Sequence, residues 1–300
     1  MVDLAEILVD LHAESADLDG VVAGLPDDDW RRPTPAAGWT ISHQIAHLTW
    51  TDRVAVRSAT DPEGFAEVAA SALADPDGFA DRAADDGLAE PSDLLSRWRS
   101  SRADLAAALA AAPAGARLPW FGIEMSPASM ATARIMETWA HGEDVALACD
   151  EVRLPTRRLR HVAWLGWRTL GYGFLAHGRP APTSPVYVEL QAPDGGVWAF
   201  GPPDATNRVT GPAIDFCLLV TQRRHRADLL LEANGPVADE WLDVAQAFAG
   251  PPGDGRPPRS AQATGARPAK AARSGDSPPA PVGAGAPPGD TPTPGAEVRP

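Results

Sequence analysis

The segment ARIMETWAHGEDVALA sets Arg134, Glu137, His141 and Asp144 at successive spacings of 3, 4 and 3. At about 100° per residue, those steps return to one face of an α-helix. Glu137 and His141 lie one turn apart, so a hard carboxylate oxygen and a borderline imidazole nitrogen can reach the same cation, each at about 2.0–2.2 Å for zinc. A third donor has to come from another element. TISHQIAHLTW offers two histidines, His43 and His47, again one turn apart. His47 is the better placed, a full turn inside its helix between Ala46 and Leu48. His43 falls in the first turn, near solvent, where the helix dipole disfavours a charged imidazole. Two His and one Glu leave coordination positions open, as in catalytic rather than structural zinc sites. Arg134 and Asp144 would then orient the ligands or meet an anionic substrate. Spacing alone favours a competing reading, an ordinary solvated His–Glu pair.

These residues need elements to hold them. Apolar spacing predicts helices over about 3–24, 40–58, 91–112 and 127–149, with a looser Asp/Gly/Ala stretch at 60–90 holding a short helix and a loop. Four long helices make a bundle over residues 1–150. Residues 151–250 read as a smaller α+β domain. A helix over 156–176 precedes strands Val186–Gln191 and Val197–Phe200, joined by the hairpin turn Pro193-Asp194-Gly195-Gly196. A strand near 208–210, a helix at 212–223, a strand at 227–233 and a helix at 237–248 complete it. From Pro251 the composition changes: residues 251–300 hold 13 prolines and 8 glycines, and no Leu, Ile, Phe, Trp, Tyr or Met. Such a segment cannot bury enough apolar surface to offset its ordering entropy, and a disordered tail is expected.

The chain has 300 residues and a formal net charge of -14, from 26 basic and 40 acidic residues. That sign argues against a nucleic-acid partner. No apolar run reaches the ~18 residues of a membrane span, and the acidic N-terminus is unlike a signal peptide, so a soluble cytoplasmic protein is expected. Cys149 and Cys217 sit in apolar surroundings and are too few for a disulfide framework or a cysteine-ligated zinc. The basic residues are arginine apart from Lys270, and Ala, Gly and Pro are abundant, a GC-rich codon bias.

GWTISHQIAHL and RIMETWAHGEDVA resemble the two signature stretches of the mycothiol-dependent maleylpyruvate isomerase family, part of the DinB-like metal-binding bundle superfamily. The resemblance covers about 5–150 well and continues more weakly through 151–250, where VTGPAIDFCLLVTQRR is similar to the family's α+β second domain. It does not reach the tail. It implies a DinB-like four-helix bundle, a tryptophan (Trp39) ahead of the second helix, and zinc on His47, Glu137 and His141. It further implies mycothiol as co-substrate. PWFGIEMS, at 119–126, reads as a Pro/Gly loop whose Trp120 and Phe121 could wall a pocket above the metal. Arg53 and Arg57, on the helix of His47, could hold a carboxylate.

Three functions follow as expectations. In the first, an open zinc activates a small-molecule thiol toward an electrophile, as an isomerase or S-transferase. In the second, the bundle is a non-catalytic metal-binding or regulatory module. The third is a zinc hydrolase with Asp144 as base.

Overall fold

The computed structural model describes residues 3–76, 78–253 and 255–260. The first half is helical. α1 (Leu4–Val22) starts at Asp3, whose carboxylate accepts from the Ala5 amide at 3.2 Å. α2 (Ile41–Thr60) starts at Thr40, whose backbone N–H donates to His43 Nδ1 at 3.1 Å. α3 (Pro62–Ala74) and α4 (Phe79–Asp86) occupy the stretch expected to hold one short helix and a loop. α5 (Pro91–Ala111) and α6 (Pro127–Ala148) match the expected bounds to within a residue at each end, and each carries proline in its first turn.

The Pro/Gly loop expected at 119–126 is instead an antiparallel hairpin, β1 (Leu118–Trp120) and β2 (Ile123–Met125). Its two central residues take positive φ, 34° at Phe121 and 88° at Gly122, as a two-residue hairpin turn requires. Phenylalanine gives no sequence signal for that conformation.

In the second half, α7 (Leu159–Arg168) and α8 (Leu170–Ala176) replace the single helix expected over 156–176. The break falls at Thr169, whose hydroxyl donates to the carbonyls of Leu165 and Gly166 at 3.0 and 3.1 Å. β3 (Val186–Gln191) and β4 (Val197–Phe200) form the expected hairpin, with Gly195 at φ 84° in its turn. β5 (Asn207–Pro212) runs parallel to β3, α9 (Ala213–Val220) follows, and β6 (Glu232–Asn234) pairs antiparallel with β5, giving the sheet order β4-β3-β5-β6. β6 is shorter than the 227–233 expected because Arg226–Asp228 forms a 3₁₀ turn. α10 (Pro236–Val244) ends the domain. The chain is thus an α+β protein built on a helical bundle. Residues 261–300 of the expected tail lie outside the described residues.

Three apolar clusters hold the fold. One joins Ile7, Leu11, Val54, Leu105, Met130 and Ile135 at one end of the bundle. A second joins Leu18, Ile45, Leu48, Leu94, Trp98 and Val145 at the other. Between them, α2 and α6 contribute buried polar residues: His47, Thr51, Asp52, Arg134, Thr138 and His141. An interior polar layer is costly unless its groups are paired, so what it does needs an account. The third cluster is the core of the second half, where Val186, Val188 and Leu190 of β3 meet Phe216, Trp241 and, from α6, Met136 and Trp139.

Candidate metal centre

The polar layer brings together His47 of α2 with Glu137 and His141 of α6. One ligand atom from each lies within 4.8 Å of the others. His141 Nε2 is 3.3 Å from Glu137 Oε2, and His47 Nε2 is 3.9 Å from the same oxygen. Two donors bound tetrahedrally at about 2.1 Å to one ion lie about 3.4 Å apart, so the spacing fits a zinc-sized cation. The donor set fits as well, and His47 Nδ1 is buried with no hydrogen-bond partner.

The surroundings are built mainly from α2 and the turn before it. His141 Nδ1 lies 2.5 Å from Gln44 Oε1, and Gln44 Nε2 donates to Thr34 Oγ1 at 2.8 Å. The Trp39 indole stacks on His141, with centroids 5.9 Å apart at 17°, and lies 5.2 Å from the ring of His47. Trp50 packs on the other side of His47 at 5.8 Å. α4 closes over this corner: Asp81 accepts from Trp39 Nε1 at 2.8 Å, and Asp85 lies 3.1 Å from His43 Nε2. Both ring nitrogens of His43 are therefore engaged, Nδ1 by Thr40 and Nε2 by Asp85.

Burial lowers the His141 pKa to about 4, with the charges of His47 and Arg223 adding to the effect against Glu137, so its imidazole is neutral at pH 7. Burial pushes the Glu137 carboxyl up. The imidazoles of His141 and His47 and the charge of Arg134 outweigh that and hold it well below the usual carboxylate range. Neutral imidazole and ionised carboxylate are the states in which these groups bind metals.

The other sequence candidates have definite places. Arg134 is fully buried; its Nε donates to Asp52 at 3.1 Å and its Nη2 to Thr51 Oγ1 at 2.6 Å. Asp144 is equally buried, between Arg223 Nη2 at 3.2 Å and the Arg256 guanidinium. Trp120 stacks on Phe65 at 6.0 Å and meets Phe121 edge-on at 5.0 Å. Arg53 is exposed and lines an open groove of about 420 Å³ with Trp50, Phe79 and Arg97.

Sequence reading misses Gln44, Thr34, Trp50 and Arg223. Nothing local marks Gln44, which sits beside Ser42 and His43 in the first turn of α2. Arg223 has no local signal either, since it arrives from the second half, donating to the Ala140 carbonyl at 3.2 Å next to His141.

This geometry can be set beside known proteins. Residues 11–146 match the family model described as the mycothiol maleylpyruvate isomerase N-terminal domain. These residues form a domain of that family. Two proteins from two strains of Mycobacterium tuberculosis, both described only as uncharacterized, are 54% identical over 257 residues, 85% of this chain and 100% of theirs. The crystal structure of the mycothiol-dependent maleylpyruvate isomerase shares the fold at TM-score 0.50 and 15% identity, over 74% of this chain and 90% of that one. A histidine-to-alanine mutant of that enzyme aligns at TM-score 0.53 and 14% identity, over 77% and 93%. Residues 182–232, from β3 through α9 to the first residue of β6, match a second model, described as wyosine base formation. No helix among the described residues is long and apolar enough to cross a membrane.

Proposed function

We propose that the chain holds one zinc ion through His47, Glu137 and His141 and uses it in a thiol-dependent isomerisation or S-transfer, with a small thiol of the mycothiol type as co-substrate. The observation that carries this reading is the convergence of three donors from two helices within 4.8 Å. Bound there, zinc supplies the Lewis acidity that holds a thiol as its thiolate at neutral pH.

The chain's own residues account for the rest. Two neutral imidazoles and one carboxylate leave a divalent ion with net positive charge, which favours an anionic sulfur ligand. Trp39 and Trp50 flank the two imidazoles with apolar walls. Arg223, beside His141, has its three guanidinium nitrogens on the Ala140 carbonyl, the Thr221 carbonyl and Asp144, and so braces the helix that carries Glu137 and His141. In the isomerisation the sulfur adds to a conjugated C=C bond and the electron pair moves onto the adjoining carbonyl. The new single bond rotates, and the pair returns as the sulfur leaves, so no thiol is consumed. S-transfer ends instead with protonation of the adduct.

An open coordination position is supported by His43, whose nitrogens are spent on Thr40 and Asp85. The hydrolase reading loses support because Asp144 is occupied by two arginines.

The test is metal content by mass spectrometry on wild type, His47→Ala and Glu137→Ala. About one zinc per chain is expected in wild type, with loss in both variants. A folded wild type that is metal-free and takes up no added zinc overturns the proposal. Zinc-loaded protein is then screened for thiol dependence with conjugated electrophiles. Binding of zinc with no thiol bound or required would leave a metal site without this chemistry.

A further inference from the structure

The donors and acceptors around Gln44 can be ordered from one end. Thr34 Oγ1 donates to the Trp39 carbonyl at 2.9 Å, a group that can only accept. The single hydroxyl proton of Thr34 is thereby used, so at Gln44, 2.8 Å away, it accepts from the carboxamide NH₂. That fixes which way round the carboxamide lies: Oε1 points at His141 Nδ1, 2.5 Å away. An amide oxygen accepts and does not donate, so the proton between them belongs to Nδ1. A neutral imidazole carries one N–H. With Nδ1 held by Gln44, Nε2 is the nitrogen left to face Glu137 Oε2, 3.3 Å away, and a cation between them takes the place of a proton.

We propose that Gln44 is a positioning residue which, oriented by Thr34, locks His141 in the Nδ1–H tautomer and so presents Nε2 to the metal. Gln44 is completely buried, so its carboxamide has no solvent to turn toward. Trp39 serves the chain twice: its carbonyl ends it, and its indole lies flat on the imidazole being oriented. A metal-ligating histidine whose second ring nitrogen is fixed by an acceptor binds more tightly, and losing such a partner costs about 10–100-fold in metal affinity. The affinity part rests on the zinc reading above; the tautomer part does not.

Two measurements test it on the full chain. In metal-free protein, long-range ¹H–¹⁵N spectra should show His141 protonated at Nδ1. Observation of the opposite tautomer, or of both in comparable amounts, overturns the proposal whether or not the protein binds zinc. In competition against a chromogenic chelator, Gln44→Leu should bind zinc about 10–100-fold more weakly. If Gln44→Leu does not fold, Thr34→Val carries the test: it removes the acceptor that orients the carboxamide and should weaken zinc about three- to tenfold. Wild-type zinc affinity in whichever of Gln44→Leu and Thr34→Val folds refutes the positioning role. A wild type that binds no zinc refutes the metal reading and leaves the tautomer to the spectra.

Discussion

Replacing Asp52 by alanine isolates the most exposed weakness of the polar layer. Asp52 and Arg134 lie 3.1 Å apart with side chains only 5% and 1% exposed. Burial pushes the Asp52 carboxyl above its ordinary value in spite of Arg134. The pair is thus worth little relative to apolar packing, and the effect of the mutation comes from what it leaves behind. Removing the carboxylate strands a buried guanidinium, for which the usual cost is about 3–5 kcal/mol. Arg134 keeps Thr51 as an acceptor at 2.6 Å, so the lower end, about 3 kcal/mol, is expected. With a urea m-value of about 2 kcal/mol/M, the midpoint should fall by about 1.5 M with m unchanged. Arg134→Met combined with Asp52→Ala removes the stranded charge and should recover most of that loss. Urea titration by circular dichroism of wild type, both single variants and the double variant closes the cycle. A midpoint shift under about 0.3 M for Asp52→Ala, or a double variant that loses the sum of the two single costs, would refute the reasoning.

Three further outcomes follow from other contacts. Hydrogen bonding to Arg99, and then Arg102, outweighs burial and lowers the Asp19 pKa below 3.8. Its stabilising contribution is therefore present above that value and lost as pH falls through the lowered one. The stability gap between wild type and Asp19→Asn should disappear in acid titrations on that side only. His43→Ala should leave zinc affinity within about threefold while weakening the start of α2 by about 1 kcal/mol, read by calorimetric titration and urea melts. Gly142→Ala should destabilise despite the ~1 kcal/mol that alanine gains in a helix, because its Cβ would lie 2.6 Å from Arg153 Nη1. A raised melting temperature for that variant would show that Arg153 yields freely.

The bundle was legible because its apolar spacing, prolines and capping residues agree with one another over long segments. Spacing on a regular helix put Glu137 and His141 on one face, and the family resemblance added His47, which the structure brings within reach of both. The β1–β2 hairpin was hidden because Pro119 and Phe121 look like loop residues, and the packing of Phe121 against Phe65 and Phe79 that accompanies its positive φ is tertiary. The helix break at Thr169 depends on a side chain bonding back to the preceding turn, a choice that threonine makes only in some contexts. Arg223 and Gln44 escaped for a further reason. Their partners, Ala140 and His141, lie 83 and 97 residues away in sequence, and no local pattern records such pairings.

Among the described residues, α6 alone contributes to all three apolar clusters. On its outer side the linker and second half grip it through Arg153 on the Trp139 carbonyl and Glu143, Arg223 on the Ala140 carbonyl, and Arg223 with Arg256 on Asp144. A cut at 150 would therefore run through a shared wall. The first 150 residues expressed alone would expose Met136 and Trp139 to water and strip Glu14, Glu143 and Asp144 of arginine partners, inviting aggregation. The same wall limits how such proteins diversify: a new second half can be grafted on only if the outward face of α6 changes with it. Any such exchange would bear on the helix that carries Glu137 and His141.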